Sequence, residues 1–128
     1  MDFVTDTHSL VWYLSDDQRL SNKALKSFEG TIKSGLIIVP TVVLAEILFI
    51  AKKGRIPLNF SETVSRIESL QNFEVLPLTV EILKLADRIE YSLEMHDKLI
   101  VATALSRKAI LITKDEQITK SKCVKTVW

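Results

Sequence analysis

Four acidic side chains stand apart in the sequence: Asp6 in "VTDTHS", Glu46 in "VVLAEILFI", Asp97 in "EMHDKL" and Asp115 in "ITKDEQ". Glu46 is the most telling, because it is the only charge between Pro40 and Lys52 and its neighbours are apolar or small. A helix that packs those neighbours half-buries the carboxylate, which then needs a cation, a partner or a proton. The opposing reading is a solvated glutamate on an outer helix stripe. Asp97 stands just ahead of an apolar run and could simply cap a helix. If all four acids converge, the donor set dictates the chemistry. The chain has one cysteine and two histidines, so oxygen ligands would hold a hard divalent ion, Mg²⁺ or Mn²⁺. One or two such ions activate water and neutralise a phosphodiester under attack.

Convergence depends on the elements that carry these residues. "MDFVT" and "GLIIVP" read as strands, the second a continuous run rich in β-branched residues between Gly35 and Pro40, suited to burial on both faces. "FEVLPL", "AILIT" and a segment around "CVKTVW" supply three more. Helical segments separate them: one with Leu10, Val11 and Leu14, one at "SNKALKSFEG" with Ser21 as cap, and one from about Thr41 to Lys53. Others are the amphipathic "NFSETVSRIESLQ", where Asn59 and Glu62 are spaced as a capping box, and a helix from Thr79 to about Tyr91. In the helix of Asp97, Leu99, Ile100, Ala102 and Leu105 recur at three- and four-residue steps. Helical crossovers force parallel strand pairing and place helices on both faces. The expected fold is therefore an α/β doubly wound, three-layer α/β/α sandwich, with a single domain over residues 1–128.

In such sheets ligands bind beyond the carboxyl ends of the strands, near the point where strand order reverses. Asp6 directly follows the first strand and Asp115 the fourth. The helix before the fourth strand runs antiparallel to it, so its amino end, with Asp97, reaches the same edge. The helix after the second strand starts there as well, with Glu46 about one and a half turns in. The four acids can then share one crevice. The path between the Thr79 helix and the Asp97 helix is not specified by the pattern.

A formal net charge of +1 exerts no global pull on nucleic acid, so any such contact rests on local clusters. Lys52, Lys53 and Arg55 in "AKKGR" form one; they either complement the end of the Glu46 helix, with Gly54 as the stop, or contact phosphates. A lone Cys123 excludes an internal disulfide and a cysteine-rich metal site, and reads as a small core residue. The run "VVLAEILFIA" is too short for a bilayer, which needs about twenty apolar residues. The first residues lack the basic and then apolar pattern of a secretion signal. A cytoplasmic protein without a membrane partner is expected.

Taken together, "TDTHSLVWYL", "PTVVLAEI", "HDKLIVATAL" and "AILITKDEQI" resemble, in order and spacing, the PIN-domain ribonucleases, and within them the VapC-type toxins of toxin–antitoxin pairs. The resemblance spans nearly the whole chain. It implies a five-stranded parallel sheet in the order 3-2-1-4-5 and Mg²⁺- or Mn²⁺-dependent endonucleolytic cleavage of RNA. It further implies a homodimer inhibited by a small cognate antitoxin. Carried over by position, it makes Asp6, Glu46 and Asp97 the core catalytic and metal-binding carboxylates, with Asp115 supporting. Thr7 and Thr113 match hydroxyls at the site, and Glu116 could serve as a further acid or simply be solvated. His8 and His96 flank two of the acids and are assigned to packing or capping ahead of proton transfer. Trp12 and Tyr13 are assigned to the core or a dimer face ahead of base stacking. An apolar surplus in the first two helical segments and in the helix from Asn59 points to a dimer.

Two other classes compete. A receiver-type phosphoacceptor domain shares the sheet and an acidic pocket but needs an aspartate after the third strand, where this chain has "VLPLT". A PIN-like scaffold that only binds RNA or protein would have no need of all four acids.

Overall fold

The computed structural model describes residues 1–128. Its strands are β1 (Phe3–Thr5), β2 (Ile37–Pro40), β3 (Phe73–Leu76), β4 (Ile110–Ile112) and β5 (Thr126–Val127). They form one parallel sheet in the order β3-β2-β1-β4-β5, so strand order reverses between β1 and β4. The helices are α1 (Thr7–Leu14), α2 (Asn22–Gly30), α3 (Thr41–Lys52), α4 (Phe60–Ser69), α5 (Val80–Asp87), α6 (Met95–Arg107) and α7 (Glu116–Ser121). They sandwich the sheet in the expected α/β/α layers. No helix is long and apolar enough to cross a membrane.

Burial explains why these segments take these forms. All four residues of β2 are buried, as a strand covered on both faces requires. A cluster of 24 buried residues joins Val4, Ile38 and Leu111 of the sheet to Leu10, Phe28, Ile47 and Ile100 of the helices. Two helix starts carry the anticipated caps, Ser21 accepting the Ala24 N–H at 3.1 Å and Asn59 that of Glu62 at 3.1 Å, and Thr79 adds a third by accepting the Ile82 N–H at 3.2 Å. Gly54 takes a left-handed φ of 66° just after α3 ends. Gly35 also has a positive φ, 107°, and a Cβ there would lie 2.0 Å from the Met1 carbonyl oxygen, so no other residue fits.

Several boundaries differ from the sequence reading. The helix that Thr79 begins stops at Asp87 and does not reach Tyr91. Arg88 and Ile89 close it with N–H bonds to carbonyls three residues back, at 3.1 Å each, which buries Ile89 and turns the chain toward α6. Helix α7 has no counterpart in the sequence reading; its six residues are too few for a periodicity to register. Cys123 is half-buried beside the core, not inside it. The apolar residues of α1 pack in or against the core and α4 exposes no large one, whereas large apolar side chains are exposed at Leu25 on α2 and Ile32 just after it, at Leu48 and Phe49 on α3, at Val80 and Leu83 on α5 and at Met95 on α6. At the sheet edge, the Arg107 guanidinium donates to both oxygens of Glu74, at 2.6 and 3.2 Å, fastening the end of α6 to β3. That contact holds the Glu74 carboxyl below its ordinary range.

Candidate active site

Each acid reaches the sheet edge by a different local device. Asp6 follows β1 with an extended backbone and starts α1, its Oδ1 accepting the Ser9 N–H at 2.9 Å. Its Oδ2 accepts the Thr113 hydroxyl at 2.5 Å. That same hydroxyl oxygen accepts the Asp115 N–H at 3.1 Å, so Thr113, just past β4, links two of the acids. Asp115 caps α7 through the Ile118 N–H at 2.9 Å. Glu46 is brought in by α3, which begins directly at Pro40, the last residue of β2. Thr7 donates to Glu46 Oε1 at 2.6 Å, which supplies the partner its half-buried position calls for.

Asp97 lies in the first turn of α6, yet this helix has no side-chain cap. The capping reading therefore fails for Asp97, whose side chain lines the pocket. It holds for Asp6 and Asp115, which cap helices and line the pocket at once.

The pocket has a volume of about 620 Å³ and brings together Asp6, Glu46, Asp97 and Asp115 with Thr7 and Glu116. Thr113 adjoins it through its bond to Asp6. Burial, reinforced by the charges of Asp115, Glu94, Asp6 and Glu46, pushes the Asp97 carboxyl up to about 6. Burial also raises Asp6, against the hydrogen bonds from Ser9 and Thr113 and the nearby His8. These shifts are what carboxylates crowded into one site produce. The acidic donors are all oxygen, and the six carboxylates outnumber the two cations that line the pocket, Arg19 and Lys114, which suits a hard divalent cation. No three acidic or histidine side chains stand close enough in this arrangement to clasp one ion together. Glu46 and Asp6 are each drawn to a threonine hydroxyl.

Some residues are placed differently from their sequence assignments. Lys52, Lys53 and Arg55 are exposed at and beyond the end of α3 and do not line this pocket. Trp12 packs against the core, as assigned, and also lines the pocket, with His8 against it at a ring separation of 5.8 Å. Tyr13 does stack in the core, 4.2 Å from Phe28. His96 lies outside the pocket, 3.9 Å from Glu94. Three pocket residues escaped sequence reasoning: Glu94, Arg19 and Lys114. Glu94 stands one helical step before Asp97, and Lys114 lies between Thr113 and Asp115, so both had a positional signal. Arg19 comes from the connection between α1 and α2 and had none.

The sequence matches the PIN domain family over residues 3–122. The chain belongs to the PIN-domain family. Solved structures similar to this PIN domain include VapBC2 from Rickettsia felis bound to a promoter DNA fragment, at TM-score 0.74 and 16% identity over 99% of this chain and 98% of that one. A toxin–antitoxin complex from Klebsiella pneumoniae aligns at TM-score 0.68 and 21% identity, covering 98% of this chain and 95% of that one. VapC20 of Mycobacterium tuberculosis, a sarcin–ricin loop cleaving toxin, aligns at TM-score 0.68 and 13% identity over 95% of each chain. At these identities the shared property is the PIN fold. No curated protein matches the sequence.

Proposed function

We propose that this PIN domain is a metal-dependent endoribonuclease and the toxin of a toxin–antitoxin pair. The observation that carries the reading is the meeting of Asp6, Glu46, Asp97 and Asp115, from four separate segments, in one pocket at the β1/β4 reversal. Asp6, Glu46, Asp97 and Asp115 would hold Mg²⁺ or Mn²⁺, which when bound activates water and neutralises the attacked phosphodiester. The protein's own contribution is orientation. Ser9 and Thr113 engage the two oxygens of Asp6, and Thr7 engages Glu46, which orients these acids along the pocket wall. Asp97 lies in the first turn of α6 and lines the pocket. RNA as the substrate, and a small antitoxin as the partner, are supported by the family and by the toxin–antitoxin complexes among the similar structures. A homodimer is supported by Phe49 and Val80, which are 66% and 65% exposed.

The deciding experiment incubates the purified protein with a structured RNA in Mg²⁺ and in chelator, beside Asp97→Asn. The reading expects cleavage only by the unaltered protein and only with the metal. Binding without cleavage would favour a silent scaffold, and stoichiometric phosphorylation by a small phosphodonor would favour a receiver.

A further inference from the structure

Two cations line the acidic pocket, Arg19 and Lys114, and both sit against the same indole. The Arg19 guanidinium carbon is 5.0 Å and the Lys114 Nζ 5.9 Å from the centroid of Trp12. Trp12 is itself braced by ring contacts to His8 and Trp128, each at 5.8 Å. The two charges are not equally free. Arg19 is clasped by Asp17, with Nε 3.1 Å from Oδ1 and Nη2 2.8 Å from Oδ2. Lys114 is exposed and takes no part in the chain's ion pairs, which are Arg19–Asp17, His96–Glu94 and Arg107–Glu74.

A flexible, hydrated ammonium beside so many carboxylates would ordinarily fold onto one of them. Here it stays within reach of an aromatic ring, which attracts a cation without neutralising it. A polyanion entering an acid-lined pocket meets repulsion on every side that a metal does not cover, so the flanking phosphates need a positive contact of their own. We propose that Lys114 binds the RNA phosphate adjacent to the one cleaved, and that Trp12 is the positioning residue that holds it there. The inference rests on the ribonuclease reading above. The bland alternative is that Lys114 merely offsets the acids. That alternative predicts tighter Mg²⁺ binding when the charge is removed and an unchanged KM for RNA.

The test compares the unaltered protein with Lys114→Gln, Lys114→Arg, Trp12→Leu and the Lys114→Gln/Trp12→Leu double variant on a short single-stranded RNA in Mg²⁺. Fluorescence anisotropy of the same RNA in an Asp97→Asn background supplies a binding readout without turnover. In Lys114→Gln, KM should rise about tenfold with kcat nearly unchanged, and the slope of log affinity against log salt should shrink by about 0.7, the share of one phosphate contact. Lys114→Arg should restore the slope. Trp12→Leu should give part of the KM effect alone and add nothing in the double variant, because the two residues act as a unit. An unchanged KM and slope in Lys114→Gln, with the unaltered protein active, would overturn this inference alone. Absence of RNA cleavage by the unaltered protein would overturn the ribonuclease reading and this inference with it.

Discussion

Thr113 and Asp6, 107 residues apart in the chain, meet through a hydroxyl 2.5 Å from Oδ2. Because Thr113 also accepts the Asp115 N–H, one buried side chain sets the spacing of the acids on either side of the β1/β4 reversal. Thr113→Val keeps the volume and removes both bonds. Cleavage should fall about tenfold to a hundredfold, as for lost supports of metal ligands. Stability should fall by about 1–2 kcal/mol, the cost of leaving Asp6 short of a donor. Parallel cleavage assays and denaturant melts check both figures. A variant with normal activity would show that Asp6 does not depend on this bond.

Asp97 gives the metal-free protein an unusual dependence on pH. Its folded carboxyl titrates at about 6 against an ordinary 3.8. The folded state therefore holds the proton more tightly, and the stability this contributes is fully present below 3.8 and lost as pH rises through about 6. In chelator, the melting temperature should rise as pH is lowered from 7 toward 5. With allowance for solvent screening at this partly exposed group, the effect is about 1 kcal/mol, or a few degrees. Asp97→Asn should be more stable than the parent at pH 7 and lose most of this slope. Added Mg²⁺ should raise the parent's melting temperature by mass action and flatten its pH dependence.

Asp6→Asn separates capping from metal chemistry. Asparagine still offers an oxygen to the Ser9 N–H, so the start of α1 keeps its cap. Thr113 can turn to accept from the new amide. The metal-free protein should melt at the same or a higher temperature, while cleavage falls about a hundredfold or more. Calorimetry without metal, set beside the cleavage rate, distinguishes this from a purely structural aspartate, whose loss would lower stability and spare activity.

Lys52, Lys53 and Arg55 extend from the helix that carries Glu46 and are open to solvent. We propose that they meet phosphates away from the metal. Neutralising all three should weaken RNA binding and reduce its salt slope by about 0.7 for each phosphate no longer neutralised, with kcat preserved. Titrations across a range of salt concentrations check it, and an unchanged slope would return the cluster to its helix-ending role.

If a homodimer forms through α3, Phe49→Glu should convert it to a monomer at micromolar concentration by light scattering while the isolated domain melts normally, since Phe49 is 66% exposed. A monomeric parent would remove the dimer from the proposal.

The sheet and the meeting of the acids were legible because they follow from two rules that act at short range. Runs such as Ile37–Pro40 announce buried strands, and the carboxyl ends of parallel strands point to one edge, which gathers Asp6, Glu46, Asp97 and Asp115 without knowledge of packing. What the sequence could not convey depends on contacts between distant segments. The close of α5 at Asp87 is fixed by burial of Ile89, and Trp12 becomes a pocket wall because Arg19 and Lys114 converge on it. Whether an aspartate caps or faces a cavity was equally beyond the pattern: Asp6 and Asp115 do both, while Asp97, the most cap-like in sequence, caps nothing.

Pro40 ends a strand and Thr41 begins a helix with no residue between them, so Glu46 is aimed by a rigid joint. Each residue of an α-helix advances by about 100°, so a single insertion at that joint would swing Glu46 away from Thr7 and out of the pocket, however well the core repacked. Length at this point is thus under tighter constraint than residue identity. Among natural or designed variants, substitutions should accumulate along the outer side of α3 while insertions and deletions between Ile37 and Glu46 remain excluded from every functional sequence.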